Sequence, residues 1–158
     1  MAAVRRLNHA VLYVRDAAAT ARFYQEALGM EVVADVGGTA VFLRSAGSEN
    51  HHDLGLFSVG AGAAGPQRGR VGLYHLAWQV DTIDALAEMR AALADRGALV
   101  GESDHGVSKS LYAVDPDGNE FEVMWKVPAE VWTPEDDAAV RPLALESELA
   151  RWSGVATA

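Results

Sequence analysis

Two stretches of this chain repeat one another, and the repeat constrains the fold more than any other feature. LNHAVLYVRD begins at Leu7 and LYHLAWQVDT at Leu73, so that Leu7 aligns with Leu73 and His9 with His75 at an offset of 66 residues. A helical stretch follows each, ending at Gly29 and at Gly97. Self-similarity at a fixed period is the mark of a duplicated supersecondary unit, whose second copy shares the architecture of the first. The chain must therefore fold as paired modules.

Each module reads as a strand, a helix and three further strands. Residues 7 to 14 alternate, with Leu7, His9, Val11 and Tyr13 on one face and Asn8, Ala10, Leu12 and Val14 on the other. Asp16 caps a helix carrying Ala17, Ala21, Tyr24 and Leu28 at helical spacing, and Gly29 closes it. Strands are expected at roughly 30 to 36, 39 to 45 and 53 to 59, with Gly37-Gly38 making a hairpin turn. Glycines, alanines and Pro66 between Gly60 and Gly72 read as a connector. The second module runs from a strand at 73 to 80, through a helix capped by Thr82, to strands at about 98 to 103, 107 to 115 and 119 to 126. Asp115-Pro116-Asp117-Gly118 fits a type I turn between the last two. The expected boundaries are a paired-module domain over 1–128 (modules 5–60 and 72–127, connector 61–71) and a C-terminal extension over 129–158. In the extension a helix is expected over 134 to 151, with Thr133 as cap and Pro142 interrupting it. The acidic run Glu135 to Asp137 suits that helix's N-terminus.

On this reading His9 and His75 fall near the middle of each module's first strand, and Glu122 near the middle of the last. Glu122 shares a face with Glu120 and Met124, opposite Phe121, Val123 and Trp125. A carboxylate in an apolar strand needs a partner, and a bound cation removes the cost of burying it. Two imidazoles at equivalent places in paired modules, with a carboxylate near the end of the second, form a metal-ligand set. The chain has no cysteine, so any metal is held by nitrogen and oxygen. A net charge of -9 with scattered basic residues argues against nucleic acid. No apolar run approaches a membrane span and no signal peptide is recognisable, so the expectation is a cytoplasmic protein.

The segments LNHAVLYVRD, FYQEALGMEVV, HHDLGLF, LYHLAWQV and DPDGNEFEV resemble the vicinal oxygen chelate superfamily of lactoylglutathione lyases, bleomycin-resistance proteins and extradiol catechol dioxygenases, over roughly residues 5 to 127. The resemblance implies an α+β fold of paired βαβββ modules whose sheets curl around a metal held by His9, His75 and Glu122. Lactoylglutathione lyases generally add a glutamate on the last strand of the first module, and here Gly55 aligns with it. Three ligands with open positions are the arrangement of a nonheme Fe(II) oxygenase, though Mn(II) or another divalent ion suits the same donors. Within the superfamily, His52-Asp53 and the run DHGVSKSLYAVDPDGNEFE resemble extradiol dioxygenases. The resemblance assigns acid–base work to His52, a hydrogen bond to a substrate oxygen to Tyr112, and to His105 either contact with that oxygen or the positioning of Tyr112.

Each of these residues also has a plainer reading. His51-His52 suits a solvated strand start, His105 a loop before Gly106, and Tyr112 cross-strand packing. Phe57, Trp78 and Trp125 suit either a pocket for a planar ring or the core. The implied partners are a small aromatic diol and dioxygen, with a homodimer or higher homo-oligomer because many extradiol enzymes carry four modules where this chain carries two. The competing functions are a divalent-metal lyase, isomerase or epimerase of the glyoxalase type, and a metal-free small-molecule-binding protein.

Overall fold

In the computed structural model, which describes residues 2–136 and 138–157, the chain divides into two compact units, Met1–Pro66 and Gln67–Ala158. Each unit contains one βαβββ repeat. The first unit comprises β1 (Ala10–Val14), α1 (Ala17–Leu28), β2 (Glu31–Asp35), β3 (Ala40–Arg44) and β4 (Leu54–Ser58). Its four-stranded sheet has the order β1-β4-β3-β2, with β1 parallel to β4 and the other pairs antiparallel. A parallel pair cannot be closed by a tight turn, and the intervening helix and hairpin supply the crossover.

Local chemistry fixes the ends of these elements. Ala19 N–H donates to the Asp16 carboxylate at 3.0 Å, and Gly29 closes α1 in the left-handed region at φ 66°. Gly37 and Gly38 both have positive φ, 57° and 72°, as the two central residues of a type I′ hairpin turn must. Leu12, Val14, Leu43, Leu54 and Leu56 form a buried layer under the Ala17, Ala21, Tyr24 and Ala27 face of α1.

The second unit repeats the plan with β5 (Leu76–Val80), α2 (Ile83–Asp95), β6 (Leu99–Asp104), β7 (Ser108–Val114) and β8 (Glu120–Lys126), in sheet order β5-β8-β7-β6. Thr82 caps α2 through a bond from Ala85 N–H, and Gly118 N–H donates to the Asp115 carbonyl in the turn between β7 and β8. Phe121, Val123 and Trp125 are buried, while Glu120, Glu122 and Met124 alternate with them on the other face, as the strand period requires. The Trp125 ring lies 6.0 Å from that of Trp152, so this tryptophan belongs to the core and not to a pocket.

Two expectations need correction. The first strands are shorter than the alternation suggests: β1 begins at Ala10 and β5 at Leu76, so His9 and His75 precede their strands and do not lie in the middle of them. The β1 ladder opens where Ala10 N–H donates to the Asp53 carbonyl. Residues 134 to 151 are also not one helix interrupted at Pro142. The described residues there form a 3-10 turn (Pro134–Asp136) and then, beyond Pro142, α3 (Leu145–Trp152). Thr133 does not cap: its N–H and hydroxyl both donate to the Asp136 carboxylate, the reverse of the expected polarity. Asp137, part of the acidic run, lies outside the described residues.

The C-terminal extension is clasped to the second unit. Asp104 and Arg141 exchange backbone hydrogen bonds of 2.8 and 2.9 Å, Asp84 accepts from Ser153 and Gly154, and Thr157 N–H reaches the Asp81 carbonyl. Residues 129–136 and 138–141 thus form a strap across the β6–β7 turn. Among the described residues no helix is long and apolar enough to cross a membrane.

Candidate active site

The second unit gathers most of the candidate residues on one sheet face. In the antiparallel β7–β8 ladder Tyr112 stands opposite Glu122, and in the parallel β5–β8 ladder Ala77 does. Residues directly opposite on one face approach within about 5 Å at Cβ. His75, just before β5, brings its Nε2 to 3.2 Å from Glu122 Oε2. Its other nitrogen, Nδ1, is buried without a hydrogen-bond partner. Glu122 is 12% exposed at the side chain, so this carboxylate is largely withdrawn from water.

His105 lies in the β6–β7 turn and points back at the same face. Its Nε2 is 2.8 Å from the Tyr112 hydroxyl and its Nδ1 is 3.1 Å from the Ala139 carbonyl of the strap. Burial, followed by the nearby Glu122, Tyr74 and Glu120, pushes the Tyr112 phenol above its ordinary pKa, so it keeps its proton at neutral pH. The Tyr74 ring packs 4.8 Å from that of His75. Glu120, one step along the face from Glu122, is held by Arg68 of the connector at 2.8 Å.

The first unit places His9 beside His52, with ring centroids 4.6 Å apart, and Phe42 edge-on to His52 at 5.0 Å. An asparagine pair orients His9. Asn8 Nδ2 donates to Asn50 Oδ1 and Asn50 Nδ2 to the Asn8 carbonyl, which leaves Asn8 Oδ1 to accept from His9 Nδ1 at 2.9 Å. With Nδ1 donating, a neutral His9 keeps its Nε2 lone pair for a ligand, the usual arrangement for a metal-binding histidine. His52 is held below its ordinary pKa by burial and by the charges of His9 and His51, against a smaller opposing effect of Asp53, so it is neutral at pH 7.

Strand register explains the missing fourth carboxylate. Gly55 pairs with Val11 and Phe42 as Glu122 pairs with Ala77 and Tyr112. A Cβ at Gly55 would meet the Phe42 ring and Val11 at 3.4 Å, so apolar groups fill this place in the first unit. Phe57 packs edge-on to Phe42 at 5.9 Å on the same face. Within neither unit do the described residues gather three His, Asp or Glu side chains into a metal-holding group: His9 belongs to the first unit, His75 and Glu122 to the second.

Asp53, next to His52, has a structural task. Its carboxylate accepts from Ser45 N–H at 2.8 Å, Ser48 Oγ at 2.8 Å and Asn50 Nδ2 at 2.7 Å, closing the loop that carries His51 and His52. Burial favours its neutral form, but these bonds outweigh burial and hold its pKa below the usual carboxylate range. A carboxylate whose pKa falls on folding stabilises the native state above its unfolded pKa, and that stability is lost as pH drops through the folded value. Asp53→Asn is therefore expected to cost about 2 kcal/mol at pH 7. Urea denaturation of both proteins at pH 7 and pH 3 checks this, the difference between them narrowing in acid.

Several site residues gave no sequence signal. Ala139 acts through its carbonyl, which any residue type would supply. Arg68 and Tyr74 sit in segments read only as connector and strand start. Asn8 and Asn50 are 42 residues apart, and only the β1–β4 pairing makes them neighbours.

Comparison with known proteins agrees with this architecture. Over 127 residues the chain is 35% identical to biphenyl-2,3-diol 1,2-dioxygenase 3 of Rhodococcus globerulus, covering 78% of this chain and 65% of that protein. Over 67 residues it is 39% identical to catechol-2,3-dioxygenase of Bacillus subtilis strain 168, covering 42% of this chain and 24% of that protein. The chain thus spans less than two-thirds of either relative. Among solved structures, a lactoylglutathione lyase from Agrobacterium tumefaciens superposes with a TM-score of 0.57 at 26% identity, covering 76% of this chain and 92% of that one. The family model of the glyoxalase/bleomycin resistance protein/dioxygenase superfamily matches residues 6–123, and the chain belongs to that superfamily.

Proposed function

We propose that this protein is an Fe(II)-dependent extradiol dioxygenase that opens a catechol-like ring beside its two hydroxyls. The observation that carries the reading is the convergence of His75 on Glu122 at 3.2 Å beside the Tyr112–His105 pair, on one face of one sheet. A buried carboxylate held against an imidazole is a donor pair suited to a divalent ion, and the nitrogen–oxygen set without thiolate fits Fe(II) or Mn(II). His75 and Glu122 supply two ligands, and the superfamily resemblance names His9, oriented by Asn8 in the first unit, as the third. When bound, the metal lowers the pKa of the substrate hydroxyls and brings the reactants together.

The chain's own residues do the rest. Tyr112, kept protonated by its surroundings, hydrogen-bonds a substrate oxygen. His52, neutral at pH 7, is suited to moving a proton during ring opening. In the first unit Phe42 and Phe57 provide aromatic surface beside His52. Gly55, with Phe42 and Val11 around it, withholds the carboxylate that a glyoxalase-type site would add. The similarity to a lactoylglutathione lyase makes a lyase or isomerase the second reading, and a binding protein without turnover the third.

Anaerobic reconstitution with Fe(II), followed by oxygen uptake with a panel of catechols, separates the three. The expected result is one dioxygen consumed per ring opened, with a yellow ring-cleavage product. Turnover of an enediolate-forming substrate without oxygen supports the lyase, and tight catechol binding without uptake supports the binding protein. A homodimer belongs to the same reading and is checked by light scattering.

A further inference from the structure

His105 is bonded at both ring nitrogens, and the two partners are chemically unlike. The Ala139 carbonyl, 3.1 Å from Nδ1, has only lone pairs to offer, so that contact is a hydrogen bond when Nδ1 carries the hydrogen. A neutral imidazole has one N–H, which leaves Nε2 bare. Nε2 must then accept, and the Tyr112 hydroxyl 2.8 Å away donates to it. With its hydrogen turned to His105, Tyr112 directs lone pairs toward the face that carries Glu122.

We infer that the C-terminal strap, through the Ala139 carbonyl, fixes the tautomer of His105 and thereby makes Tyr112 a proton-accepting relay for the substrate. The identity of the proton donor rests on the dioxygenase reading; the tautomer does not. A substrate hydroxyl gives its proton to the Tyr112 oxygen as the Tyr112 proton passes to His105 Nε2. One O–H bond breaks on the substrate, one is exchanged on Tyr112 and one N–H forms. The product is an oxyanion beside an imidazolium whose Nδ1–H still points at Ala139. No electrons change hands.

The strap reaches His105 because residue 106 is glycine. Gly106 has φ +73°, and a Cβ there would sit 2.6 Å from the Asp136 Cβ and Oδ1 and 2.8 Å from its Cα. Side chains rarely adopt that backbone conformation, and the strap's own backbone occupies the space. Two bonds hold the strap's turn, from Thr133 N–H and Oγ1 to Asp136, each 3.0 Å. The Asp104–Arg141 bridge fixes its far end. Gly106 and Asp136 are thus positioning residues that act through His105.

The test is imidazole ¹⁵N NMR on the metal-free full-length protein at neutral pH, with His105→Asn identifying the His105 signals among the five histidines. The expected spectrum shows a protonated Nδ1 and a bare Nε2. Gly106→Ala is expected to populate the opposite tautomer and to lower kcat roughly 10-fold or more, because a His105 that donates from Nε2 can no longer take the Tyr112 proton. If that variant does not fold, Asp136→Ala, at the strap itself, is expected to shift the tautomer in the same direction. A wild-type ring protonated on Nε2, whether as the other neutral tautomer or as an imidazolium, overturns the proposal. So does an unchanged tautomer in the variant that folds, even with activity lost. A wild-type protein with the expected tautomer and no oxygen uptake sinks the dioxygenase reading and leaves the strap's role standing.

Discussion

Glu122→Ala is expected to remove metal retention and to lower kcat/KM on the order of 10³-fold, the loss that follows when a Lewis acid contributing several kcal/mol is no longer held. The position makes the expectation sharp. Glu122 is a carboxylate that His75 meets at 3.2 Å, it faces Tyr112 across the ladder, and its side chain is largely buried. The same burial predicts an unusual stability signature. Holding this carboxylate largely out of water costs free energy in the metal-free protein, so removing it leaves the thermal midpoint of the apo form unchanged or raised. The metal-loaded wild type gains stability by mass action, and the variant does not. Metal content by mass spectrometry, oxygen uptake and melting with and without Fe(II) together check the prediction. A variant that keeps stoichiometric iron and turnover shows that Glu122 is no ligand.

The repeat makes most of the fold legible in the amino-acid sequence. An offset seen in Leu7, His9 and their counterparts reflects one supersecondary unit used twice, and a helix between parallel strands follows from topology. Turn chemistry was equally readable, because Gly37-Gly38 and Asp115 to Gly118 have few conformations open to them. Strand starts were not. Alternation in LNHAVLYV continues through Leu7 and His9, but pairing stops at Ala10, and periodicity in one strand carries no information about where its partner ends. The C-terminal helix failed for a related reason. Thr133-Pro134 is a good helix start by composition, yet Asp136 captures both Thr133 donors and closes a tight turn. Candidate side chains came from motif and repeat, whereas their orienting partners, Ala139, Asn8 and Asn50, are brought near only by tertiary structure.

Lys109 shows the same blindness at larger energetic scale. In SKSLYAV it falls on the face of Leu111 and Ala113, where alternation asks for an apolar residue, and its side chain is only 7% exposed. Burial is tolerated because Nζ reaches Asp104 at 2.6 Å and stands 3.6 Å from Glu148 of α3. Lys109→Ala is expected to destabilise the protein by about 3–5 kcal/mol at pH 7, since two largely buried carboxylates would lose their cation. Glu148 has little to fall back on, its Oε2 being buried without a hydrogen-bond partner. Burial acts to raise the Asp104 pKa, but the Lys109 bond and charge, together with Gly106 N–H and the charge of Arg141, hold it low. That stabilisation is present above the unfolded carboxylate pKa and is lost as pH falls through the folded value, so the cost of Lys109→Ala shrinks in acid. Denaturation across pH 3 to 8 reads this slope directly. Adding Asp104→Asn and Glu148→Gln to the alanine variant is expected to recover much of the loss, because the uncompensated charges go with them. If Lys109→Ala costs less than about 1 kcal/mol at pH 7, the trio behaves as a solvated surface pair. The strap would then depend on its backbone bridge to Asp104, and not on the charges beneath it.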